Sequence, residues 1–167
     1  NTWHLALYHL DLGDSGAALA LHDEAIGGPG SSVVLDLVDQ SAMLWRLHLR
    51  GVDIGARFAA LADRWAPLAN DSVHAFNDLH AMIAFTGAGR ADAQRALLDA
   101  QQATLARQGD DNAGFVRDVG AAAAQAIQAF GDADYVRCTE LLRPVRNGAH
   151  RFGGSHAQRD LLDLTLI

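Results

Sequence analysis

The segment HAFNDLHAMIAF, residues 74–85, places His74, Asn77, Asp78 and His80 close together in a stretch otherwise apolar enough to be core. On a helix His74 and Asp78 stand four residues apart and Asn77 and His80 three, so both pairs are surface neighbours. The same style returns near the end of the chain, where His156 precedes Arg159 by three residues and Asp160 by four. An imidazole oriented by a carboxylate is poised for proton transfer near neutral pH. The same nitrogen and oxygen atoms could also ligate a metal. A third reading is structural: polar side chains at helix crossings bond one another and fix the stacking, because each buried group left unsatisfied costs about 1–3 kcal/mol.

Stronger catalytic or metal signatures are missing from the sequence. HEXXH and paired CXXC are both absent. No Ser or Cys stands in a nucleophile context, and Cys138, in VRCTELL, reads as a buried inert thiol. RQGDDNAG, residues 107–114, lacks the full EF-hand ligand series and reads as a solvated turn. No metal and no cofactor is assigned on this basis.

The elements that must position these residues are helices. Ala is the commonest residue, Pro occurs three times and β-branched runs are rare, which predicts an all-α chain. Glycines punctuate it regularly. Taking Gly13, Gly51, Gly89 and Gly131 as equivalent turn residues gives spacings of about 38, 38 and 42, the scale of helix-turn-helix repeats. Helices are expected at 2–12, 15–26, 32–49, 53–65, 71–86, 90–107, 113–130, 133–143 and 155–167, or four helix pairs and one further helix, all in one domain. GGPGSS, residues 27–32, reads as a loop, and Ser155 as the cap of the last helix. GAAAAQAIQA, residues 120–129, supplies the small side chains that close helix crossings need.

Aligning the units on their glycines sorts the polar residues. Asn1, Asp39 and Asn77 each stand twelve positions before the turn, and His4 and His80 each nine. A polar residue recurring at one register in stacked first helices predicts a polar row along one wall. Trp3 and Trp45 sit near the same positions and would lend that wall aromatic surface.

LGDSGAALALHDEAI resembles the second half of a tetratricopeptide repeat, with Gly13 and Asp14 at the turn and the small Ala18 and Ala25 at the helix crossing. NTWHLALYHLDLGD, HAFNDLHAMIAFTGAGR and GGSHAQRDLL together resemble the tetratricopeptide-repeat protein 38 family over essentially the whole chain. That resemblance implies a right-handed α-solenoid of tetratricopeptide-like repeats whose first helices line a concave groove. It implies no settled reaction.

Composition narrows the function further. The formal net charge is −7 and the pI near 5.5, which argues against nucleic acid or an anionic membrane as the main partner. All thirteen basic residues are Arg. A single cysteine suits a reducing, cytoplasmic setting, and no apolar run approaches the roughly 20 residues needed to span a bilayer. Both ends fall inside helical patterns, so the chain reads as a fragment of a longer protein. The expected role is binding of a peptide or protein segment in the groove, with Asn1, Asp39 and Asn77 meeting backbone amides. The candidate ligand-binding residues are His4, Asp39, Trp45, His74, Asn77, Asp78, His80, His156, Arg159 and Asp160. A small-molecule or metal-dependent enzyme using the His and Asp row is the alternative.

Overall fold

Four helices end in the same way. The chain turns through a residue with positive φ, and the next amide reaches back five residues to close the last helical turn. Asp14 N bonds His9 O, Val52 N bonds Leu47 O, Arg90 N bonds Phe85 O, and Asp134 N bonds Ala129 O, at 2.8–3.1 Å. The left-handed residues are Gly13, Gly51 and Gly89, as expected, but the fourth is Ala133 with φ 59° and not Gly131. Gly131 lies inside its helix, where a Cβ would come within 2.3 Å of the Thr86 methyl carbon. It is therefore a close-packing glycine, and the fourth turn falls two residues later than the spacing predicts. Asp14 and Asp134 then cap the following helices, accepting from Ala17 N and Arg137 N at 3.0 Å each.

The computed structural model describes residues 1–27 and 33–167. All but Gly27 of the expected GGPGSS loop lies outside the described residues. The helices are α1 (Thr2–Asp11), α2 (Ser15–Leu21), α3 (Val34–Leu49), α4 (Arg57–Trp65), α5 (Ala75–Gly87), α6 (Ala91–Leu105), α7 (Asp111–Phe115), α8 (Ala121–Gly131), α9 (Tyr135–Val145), α10 (His156–Arg159) and α11 (Leu161–Thr165). No strand occurs among the described residues, so the chain is all-helical. Nor is any helix among them long and apolar enough to cross a membrane.

Departures from the expected helices have local causes. The expected 15–26 and 113–130 helices each contain a wide π turn, at His22–Ile26 and Val116–Gly120. The second brings Gly120 onto Ala75, where a Cβ would sit 2.7 Å from the Ala75 methyl. The helix expected at 53–65 starts at Arg57, because the Asp53 side chain accepts from Gly55 N and makes a turn first. The last helix breaks into α10 and α11 at Asp160, and the Gln158 side chain accepts from Ser155 N at the entry to α10.

Helix α5 is the centre of the core. It packs against α3, α4, α6 and α8, which is why it is apolar almost all round: Leu79, Ala81, Met82, Ile83, Ala84 and Phe85 are all buried. The alanines of α8 allow close approach, with Ala123, Ala124 and Ala126 fully buried. Consecutive helices pair as α1 with α2, α3 with α4, α5 with α6 and α8 with α9. Helix α11 packs back onto α3.

Candidate functional site

The face of α3 that α11 covers holds a group of buried polar contacts. Arg46 stands in the apolar run SAMLWRLHL and is only 2% exposed. Its Nη1 donates to Ala42 O at 2.9 Å, while Nη2 donates both to Ala157 O and to the Asp160 carboxylate. The guanidinium carbon lies 5.6 Å from the centre of the Trp3 ring, in cation–π contact. Burial pulls the Arg46 pKa down, and the Asp160 charge opposes that shift. Trp3 Nε1 donates to Asp39 O at 3.2 Å and ties α1 to α3.

Asp39 and Trp45 of α3 each bond the returning α10–α11 segment, and Asp160 of that segment bonds Arg46. Gln158 Nε2 reaches Asp39 Oδ1 at 3.5 Å. Burial raises the Asp39 pKa against that hydrogen bond. Trp45 is fully buried and donates through Nε1 to Thr165 Oγ1 at 2.9 Å; Thr165 in turn donates to Leu161 O at 2.7 Å. Arg46, Gln158 and Thr165 are absent from the predicted set. A lone guanidinium within an apolar helical run is the signal that points to Arg46, because so buried a charge needs a partner.

Of the other predicted residues, His4 acts electrostatically on Asp39, His80 is acted on by Arg46, and His156 and Arg159 share a depression with Asp160. His4 is exposed on α1, edge-on to Trp3 with ring centres 5.3 Å apart. His156 is exposed, and Arg159 donates to Gly154 O. These two line a shallow depression of about 220 Å³ with Arg146, His150, Asp160 and Asp163. Two wider openings, of about 680 and 560 Å³, contain none of the predicted residues.

Within HAFNDLHAMIAF the polar groups have separate partners. His74 precedes the first turn of α5, and its Nδ1 accepts from Phe76 N at 3.2 Å. Asp78, 4% exposed, accepts from Ser72 Oγ at 2.7 Å and Gln101 Nε2 at 3.1 Å, so its carboxylate serves the preceding loop, and the hydrogen bonds of His74 lie elsewhere. Burial raises its pKa despite both donors. Asn77 is half-buried. His80 is fully buried, bonds Phe76 O through Nδ1 at 2.8 Å and packs tilted against the Phe76 ring, with ring centres 4.5 Å apart. Burial pushes its pKa down to about 4, and Nε2 has no hydrogen-bond partner among the described residues.

The loop that Asp78 holds was not legible as a unit. Ser72 takes φ 42° with its side chain buried, and its carbonyl accepts from Asn112 Nδ2 at 2.6 Å. Asn112 Oδ1 also accepts from Ala75 N at 2.8 Å. RQGDDNAG is therefore more than a solvated turn: Asp110 accepts from Asn112 N at 2.8 Å, and Asn112 turns inward to brace the start of α5. Cys138 is buried as expected, and burial raises its thiol pKa.

Among the described residues no three His, Cys, Asp or Glu side chains come together in a group that could hold a metal ion. No family model matches the chain. No solved structure matches it either.

Proposed function

We propose that the protein is an interaction module, a right-handed solenoid of tetratricopeptide-like repeats that holds a peptide or protein segment against its first helices. One observation carries this reading. Trp3, Asp39, Trp45 and Arg46 form a face that already grips a piece of polypeptide, through a backbone carbonyl, a carboxylate and two polar side chains. Helix-in-groove recognition works by these means: buried apolar anchors supply affinity, and a few placed polar groups supply specificity. The proposed module acts in the cytoplasm, and its partners are protein segments rather than nucleic acid or membrane.

The enzyme alternative draws no comparable support. Catalytic use of His74 with Asp78, or His156 with Asp160, needs each imidazole to be oriented by its carboxylate. Asp78 is engaged by Ser72 and Gln101, and Asp160 by Arg46.

Selection from a library of displayed, randomised peptides against the whole chain tests the proposal. The expected result is enrichment of a motif whose binding is lost in Arg46→Met. No enrichment, or enrichment indifferent to Arg46→Met, overturns it.

A further inference from the structure

The segment that grips the α3 face is built like a ligand. It consists of two helices of four and five residues, far shorter than a helix that holds itself together in water. It joins the body through Gly153 and Gly154, at φ 98° and 78°, a backbone conformation open chiefly to glycine. Leu161 and Leu162 are 1% exposed and provide apolar anchors. Asp160 meets Arg46, and Thr165, five positions on, meets Trp45. Anchors on one face with one charge and one hydroxyl at fixed offsets are the layout of an amphipathic helical peptide.

We propose that the α3 face is a docking surface for an acidic, leucine-bearing helical segment of a partner protein, and that α10 and α11 occupy this surface in cis until that partner displaces them. The inference rests on the interaction-module reading. The resident segment specifies the partner's chemistry: a carboxylate for the buried Arg46, two adjacent leucines for the core, and a hydroxyl acceptor for the Trp45 indole. Tethering gives the resident segment a high effective concentration, so a free ligand sees only the fraction of molecules in which it has lifted.

The test uses a fluorescein-labelled peptide copying residues 154–167, titrated with the whole chain and followed by anisotropy. A second titration uses the chain carrying Asp160→Asn and Thr165→Val, which weaken the resident segment but leave the face intact. The expected result is affinity about ten-fold or more tighter for the substituted chain, since apparent affinity scales with the open fraction. A peptide bearing the same two changes is expected to lose that gain.

A covalent variant gives an independent readout. Asp39→Cys with Gln158→Cys, bridged by a short bis-thiol reagent, should lose peptide binding relative to the same protein unbridged, and buried Cys138 should be spared. Equal affinity of both chains for an Arg46-dependent library peptide overturns the cis occupancy and leaves the module reading standing. Failure of every peptide to bind either chain overturns both. Binding that coincides with dimerisation of the chain, measured by light scattering, makes a second copy the occupant and overturns the partner assigned here.

Discussion

Trp45 and Thr165 are 120 positions apart, yet the indole Nε1 donates to the threonine hydroxyl at 2.9 Å inside the core. The bond closes the chain's last helix onto its third. Thr165→Val keeps the shape of the side chain and removes the acceptor, leaving the N–H of a fully buried ring unpaired. The expected loss is about 1–3 kcal/mol of unfolding free energy by urea titration. Thr165→Ser, which restores an oxygen, is expected to recover most of it.

Arg46 and Asp160 form one ion pair from unequal environments. The guanidinium is 2% exposed and the carboxylate 48% exposed. Arg46→Met replaces a buried charge with a flexible apolar chain and releases Asp160 to water, so the expected change in stability is under about 1.5 kcal/mol. Asp160→Ala leaves the buried cation with two carbonyl partners and the Trp3 ring but no countercharge. It is expected to cost more than Arg46→Met, although the exposure of Asp160 limits the loss to roughly 1–3 kcal/mol. Equal losses in paired denaturation curves would mean that burial of Arg46 does not set the energetics of the pair.

His80 gives the fold a sensitivity to acid. Its folded pKa is about 4, below the ordinary value of 6.5, because the imidazolium would be buried. In this window the unfolded chain binds more protons than the folded one, so stability is full above about pH 6.5 and falls as the pH drops toward 4. The shift corresponds to roughly 3 kcal/mol. His80→Leu is expected to flatten that part of the stability profile while changing stability at pH 7 far less. Denaturant midpoints taken between pH 7 and 4.5 for both proteins measure the difference.

The helices were legible because their ends are written in local chemistry. Gly13, Gly51 and Gly89 each mark a left-handed turn, and each turn forms where the sequence places it. The candidate site was legible in part. Asp39, Trp45 and Asp160 all take part in the packing of α10 and α11 on α3, but His4 and His80, equivalent in the glycine register, lie in solvent and in the core respectively. Register fixes the face of a helix, whereas burial depends on what lies across it, and α5 is covered on several sides while α1 is not. Arg46 and Thr165 find each other's neighbourhood only through the return of α11 onto α3, a long-range contact that no local pattern encodes.

The fourth turn tests how far a glycine can be read as a turn signal. Gly131 looks equivalent to the other three, yet it is helical and Ala133 holds the left-handed position at φ 59°. Ala133→Gly should therefore remove backbone strain. The gain is expected to be no more than about 1 kcal/mol, because glycine also adds freedom to the unfolded chain. Gly131→Ala should do the opposite, since its Cβ would enter within 2.3 Å of the Thr86 methyl carbon where α8 crosses α5. Overpacking of that kind costs about 1–3 kcal/mol. Thermal melts of the two variants should move in opposite directions, and Thr86→Ser, which removes the obstructing methyl, should restore most of the stability lost in Gly131→Ala. A neutral Gly131→Ala would mean that Gly131 is not wedged against Thr86, and an Ala133→Gly without effect would mean that the left-handed position at Ala133 carries no strain.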